Sequence, residues 1–134
     1  MVKCIVQASV AVEAGPLFVL NRVLNPESYT VAQVQLTASG TGATSQVDLP
    51  LLPEDGDVVL LAIKVTQADR KPAAVTVTPA NGTNSGTELS VTESLLITDP
   101  GVLAALVTDG PRTLGLANPG AAPIVVDVLA GLSS

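Results

Sequence analysis

Three carboxylates, Glu54, Asp55 and Asp57, fall within four residues of the stretch "PEDGDVV" at 53–59, in a chain with twelve acidic residues among 134. A calcium loop needs such side chains at alternating positions, with roughly six to eight oxygens in all and a bidentate glutamate to close the site. Asp55 and Asp57 have that local spacing, but residues 58–63 continue as an unbroken apolar run and offer no closing ligand. A turn explains the stretch more simply. Pro53 opens it, Asp55-Gly56 tolerates positive φ, and Asp57 leads into a strand. The turn is the expectation, and cation binding by Glu54, Asp55 and Asp57 is left open. Paired carboxylates also run glycoside hydrolysis, but sugar sites are usually rimmed by aromatic rings, and Phe18 and Tyr29 are the only rings here.

The rest of the inventory is thinner. The chain has no histidine, which removes the commonest general base, proton shuttle and metal ligand together. Ser-His-Asp and Cys-His arrangements are impossible. Lys3, Lys64 and Lys71 lie without a local serine motif for Ser-Lys chemistry. No "GxxxxGK[ST]" and no strand-to-helix "GxGxxG" occurs. The expectation is a protein that is not an enzyme and has no catalytic, metal or cofactor-binding residues. Lys3, Arg22, Lys64, Arg70, Lys71 and Arg112 are scattered in a chain of net charge −6, with no basic stripe for phosphates, so direct nucleic-acid binding is not expected. "NGT" at 81–83 matches a glycosylation acceptor, but an Asn-Gly loop tip accounts for it. Arg70-Lys71 reads as a solvated connection. Cys4 is the only cysteine, so no intramolecular disulfide forms, and it reads as a small buried hydrophobe.

Hydrophobic residues make up 47% of the chain, aromatics 1% and charged residues 13%, against roughly a quarter charged in an ordinary domain. The core must be aliphatic, and a surface so poor in charge does little to keep neighbouring molecules apart. This favours coverage by a subunit or partner; the competing account is that Thr, Ser, Asn and Gln supply the polarity. The longest apolar runs, 58–63 and 102–107, have six residues each, far short of the roughly 20 needed for a membrane span. The N-terminal stretch resembles a signal peptide only faintly, because Gln7 and Ser9 interrupt it. A soluble protein without a clear export signal is expected.

Period-two alternation recurs along the chain, the pattern of half-buried strands. In 2–13, Val2, Cys4, Val6, Ala8, Val10 and Val12 share one parity while Lys3, Gln7, Ser9 and Glu13 take the other, with Ile5 the exception. Gly15-Pro16 punctuates, and 17–24 forms a second strand before Asn25-Pro26. Residues 30–38 and 46–49 follow. Residues 57–66, apolar on both faces in their first half, predict a central strand. The charged 67–72 stretch reads as a hairpin-like connection into 73–78. In 87–98, Leu89, Val91, Leu95 and Ile97 share a parity broken by Glu93, a run long enough to bend or to serve two sheets. Asp99 as N-cap, Pro100 at the first helical position and Gly110 beyond the end predict a short helix near 100–108, with Leu103, Leu106 and Val107 closing one end of the core. Two last strands follow at 112–118 and 123–130, with Ile124, Val126 and Val128 inward and Asp127 outward. Seven to nine short strands with turns roughly every 8 to 12 residues predict one all-β domain over 1–134, a β-sandwich or jelly roll.

An all-β, histidine-free, charge-poor chain with many Gly, Pro and Thr loops resembles the small accessory proteins of tailed-bacteriophage virions, in particular capsid decoration or cement proteins. The resemblance lies in the general character of the whole chain and in no single motif. It implies a homo-oligomer on the outer capsid surface, bound to a major capsid protein, with no membrane or nucleic-acid partner. Such proteins often use a long N-terminal arm, none is evident here, and the strand beginning at Val2 would have to serve. The alternative is a ligand-binding or adhesive β-sandwich module on a fibre, tail or cell surface, reading its target through loops such as 39–46 and 80–87.

Overall fold

A computed structural model describes residues 3–38, 45–51, 56–67, 69 and 71–133. Alternating apolar and polar residues form strands because successive side chains leave a pleated strand on opposite faces. The described residues form β1 (Cys4–Ala11), β2 (Leu17–Leu24), β3 (Ser28–Leu36), β4 (Gln46–Pro50), β5 (Asp57–Gln67), β6 (Ala74–Asn81), β7 (Asn84–Ser85), β8 (Leu89–Thr92) and β9 (Ser94–Ile97). A short helix α1 (Pro100–Ala104) precedes β10 (Thr113–Ala117) and β11 (Ile124–Ser133). The chain is all-β, as its periodicity predicts.

From β3 onward the pairing is nested. β3 pairs with β11, β4 with β10, β5 with β9, and β6 with β7 and β8, all antiparallel. Two further ladders, β11 with β5 and β10 with β6, join these pairs into the sheets β3-β11-β5-β9 and β4-β10-β6-β8. Successive nested pairs fall on alternate sheets, which is the winding of a jelly roll. Each sheet turns its apolar parity toward the other. Leu36, Ile63, Val65, Val126 and Val128 from the first meet Val75, Val77, Val91, Leu114 and Leu116 from the second, and the buried core holds no aromatic ring among the described residues. β5 lies inside its sheet, as its two-sided apolar start predicts.

The 87–98 run does serve two sheets, and Glu93 is where it changes. Glu93 adopts φ 66; its N–H donates to the Ala73 carbonyl at 2.9 Å, and its own carbonyl accepts from the Val65 N–H at 2.8 Å. One residue thus bonds beside β6 in one sheet and to β5 in the other. Leu89, Val91, Leu95 and Ile97 all keep facing the core. This break and the two-residue β7 raise the strand count to eleven among the described residues.

Asp99 caps α1, accepting from the Gly101 N–H at 2.8 Å. The helix is one turn long rather than reaching 108, and a turn through Asp109 (φ 66) and Gly110 (φ 80) ends the segment. Leu103 and Val107 are buried and Leu106 packs partly against the core, closing its end as expected. The one buried polar side chain among the described residues is Asn118. Its Nδ2 donates to the carbonyls of Thr37 (2.9 Å) and Ala122 (2.8 Å), and its Oδ1 accepts from the Gly120 N–H at 2.9 Å. It holds the β10–β11 crossover against the end of β3.

Two expectations need correction. The 67–72 stretch does not close a hairpin within one sheet. It carries the chain from β5 to β6 in the opposite sheet, with a local bridge between Thr66 and Pro72 and an exposed Lys71–Asp69 ion pair at 3.6 Å. The alternation over 2–13 is met only in its first half: Cys4, Val6 and Ala8 are half-buried while Ile5, Gln7 and Ser9 are exposed, but from Val10 onward both parities are exposed. Among the described residues β1 pairs with β2 alone and no further strand joins either, so most of both strands is exposed.

Leu114→Ala, at a side chain with 0% exposure, is expected to lower the unfolding free energy by about 2–5 kcal/mol, read from urea denaturation. Asn118→Leu keeps the number of side-chain heavy atoms but removes the donor to the Ala122 carbonyl and the acceptor for the Gly120 N–H, so a loss of about 1–3 kcal/mol is expected in the same assay.

Candidate docking surface

The hairpin β1-β2 is built from eight paired positions, Cys4 opposite Leu24 through Ala11 opposite Leu17. Its turn at 12–16 closes with the Gly15 N–H donating to the Val12 carbonyl at 2.8 Å, with Ala14 at φ 58. A Cβ at Gly15 would stand 2.9 Å from Val12 Cγ1, so the glycine lets the chain fold back tightly. Cross-strand partners share a face. One face carries Val6–Arg22, Ala8–Leu20 and Val10–Phe18, and the other carries Ile5–Val23, Gln7–Asn21, Ser9–Val19 and Ala11–Leu17. The first is the more continuous apolar surface, because the Gln7–Asn21 pair divides the second.

Eight of the hairpin's large apolar side chains are exposed, from 52% at Val19 to 64% at Leu17. An isolated two-stranded hairpin is at best marginally stable in water, and the outer edges of β1 and β2 carry backbone groups unpaired with any other strand among the described residues. Cys4, expected to be buried, is only half-buried on this hairpin.

The root of the hairpin is fixed. Pro26 is buried, and the Glu27 N–H donates to the Leu132 carbonyl at 2.9 Å. A Cβ at Gly131 would meet Leu60 Cβ at 3.1 Å and Pro26 Cγ at 3.5 Å. Gly131 and Leu60 are register partners on the outward parity of β11 and β5, so Pro26 is seated on the outer face of the sheet. Beyond this seat the same face is open. Val31, Leu129, Ala62 and Leu96 align in one row across all four strands, with Val31 67% and Leu96 48% exposed. They line a shallow depression of about 430 Å³. The adjacent row is polar, with Gln33 Nε2 donating to Asp127 Oδ1 at 2.9 Å and Lys64 beside them.

The residues singled out for chemistry do not gather here. Glu54 and Asp55 lie outside the described residues, and Asp57 is exposed at the start of β5. Asn81 of the glycosylation-like motif turns its amide inward, donating to the carbonyls of Gly110 (2.8 Å) and Asp109 (3.2 Å). It ties the β6–β7 turn to the segment after α1. Of the loops an adhesive module would use, 39–44 lie outside the described residues. The 80–87 loop is a tight β6–β7 turn with Gly82 at φ 60. Among the described residues no helix is long and apolar enough to cross a membrane.

The hairpin's exposure was not legible in advance, because alternation reports that a strand has two unlike faces and not whether a layer covers one. The signal present in the sequence was the apolar content of "LFVLNRVL" on both parities. Comparison with protein-family models, curated proteins and solved structures finds no match to this chain.

Phe18→Ser is expected to change the unfolding free energy of the sandwich by no more than about 0.5 kcal/mol, as at any exposed site. Gly131→Val, which must displace Leu60 and Pro26, is expected to lower it by about 1–3 kcal/mol. Chemical denaturation of the two variants side by side checks the contrast.

Proposed function

We propose that this protein is a structural component of a virus particle, a capsid decoration or cement protein that assembles with copies of itself and reinforces a shell. The observation that carries the reading is the exposed apolar hairpin β1-β2. Jelly rolls serve capsids, lectins and cupins alike, so the fold alone selects no function. An ordered, two-sided apolar ribbon with free edges is a device for association, because apolar patches of this kind mark interaction surfaces.

The magnitudes favour assembly over a single contact. Full burial of a Val, Leu, Ile or Phe side chain is worth about 1.5–3 kcal/mol, so covering the exposed half of eight of them yields about 8 kcal/mol. Association itself costs about 4–15 kcal/mol. One arm contact is therefore close to balance, while several symmetry-related contacts on a lattice act together and become stable through avidity. The hairpin supplies the N-terminal arm that decoration proteins commonly use, in the form of a ribbon rather than an extended tail. The low charge density of the chain agrees with a surface meant to be covered.

Light scattering is expected to give a mass of at least two copies, and sedimentation to bring the protein down with intact virus particles. A strict monomer that stays in the supernatant overturns the reading.

A further inference from the structure

We infer that the hairpin β1-β2 of one copy docks on the outer face of the β3-β11-β5-β9 sheet of a second copy, over the row Val31–Leu129–Ala62–Leu96. This rests on the assembly reading above and names the partner of the arm.

Four observations lead to a second copy. The first is where the exposed apolar surface lies. Of twelve large hydrophobics exposed among the described residues, eight belong to residues 5–23, and Tyr29, Val31 and Leu96 lie on the outer parity of this one sheet. The opposite sheet turns outward Gln46, Asp48, Thr76, Thr78, Ser90 and Thr92, and so offers an apolar ribbon nothing comparable. The chain thus carries one apolar projection and one apolar face.

The second is charge. Residues 3–24 hold Lys3 and Arg22 against Glu13, one net positive charge, while the remainder holds eleven carboxylates against four basic residues. The arm of one copy is drawn toward the body of another, whereas body repels body. The third is dimension. An eight-residue strand extends about 26 Å, enough to cross a four-stranded sheet about 14–19 Å wide.

The fourth is continuity. Pro26 already covers one end of this face at Leu60 and Gly131, yet the arm runs on from Asn25 without covering its own Val31. The root at Pro26 and Glu27 is tied down at that end alone, which leaves the rest of the face to a neighbour's arm. Because arm and acceptor are different surfaces, each copy both gives and receives, and the contact either closes reciprocally in a pair or propagates around a ring.

The test replaces Phe18 in the full chain with its photoreactive benzoyl analogue, mixes isotopically light and heavy copies, irradiates, and maps the cross-links by mass spectrometry. The expected result is covalent light–heavy dimers with attachment within 29–33, 60–64, 94–97 or 125–131. Val31→Asp with Leu96→Asp, both outward-facing, is expected to weaken self-association by about tenfold or more in sedimentation equilibrium. Cross-links confined to the arm itself or to the outer face of β4-β10-β6-β8 overturn the inference, as does a light–heavy mixture that yields no dimer. Should the double variant misfold by circular dichroism, the cross-link map alone decides. Copies that cross-link on this face but do not pellet with particles would sink the decoration reading and leave the docking intact. Particle binding without such cross-links would do the reverse.

Discussion

Two sheets with apolar inner parities have only each other to bury those parities against, and the architecture of the sandwich follows from that constraint. The inner residues are almost all Val, Leu, Ile and Ala. β-branched and aliphatic side chains pack well on a pleated surface, but without rings each contributes little area, so close fit over many positions replaces a few large anchors. The nested winding enforces this, since successive strand pairs fall on alternate sheets and neither sheet can form completely without the other. The same winding makes most strand pairs distant in sequence, with Leu132 opposite Ser28 at the extreme. Loop closure must then precede the contacts that reward it, which places the chain among slow-folding topologies.

Much of this was legible in the residues. The parity of Ile124, Val126 and Val128 marked a core face, the first half of 57–66 marked an interior strand, and Asp99-Pro100 marked the start of the helix. Glu93 was legible as an exception but not as a cause. Only the structure shows that its left-handed backbone lets one residue hydrogen-bond to both layers. The limit of sequence reading lies elsewhere. Periodicity is a property of one strand, whereas coverage depends on what the fold lays against it. The alternation in Cys4–Ala11 is as regular as that in Ile124–Ser133, yet the first strand stands outside the sandwich and the second lies at its centre.

The contrast between the two outer faces follows the same logic. Thr, Ser and Gln hydrate the β4-β10-β6-β8 face, so that side is finished as a surface. On the other sheet Pro26 is seated where Gly131 leaves room, and the apolar row beyond it is left open. A glycine in a strand usually weakens it. Here its missing side chain makes the seat from which the hairpin leaves the body, and so sets where the hairpin begins.

Neither aromatic ring of this protein belongs to its core. Phe18 is 60% exposed on the hairpin and Tyr29 55% exposed on the outward parity of β3, and the chain has no tryptophan. The optical signals that usually follow the burial of a hydrophobic interior are therefore displaced to the periphery. Ultraviolet absorbance and emission from Tyr29 register what happens at the surface of the body, while the aliphatic interior melts and re-forms without a chromophore of its own.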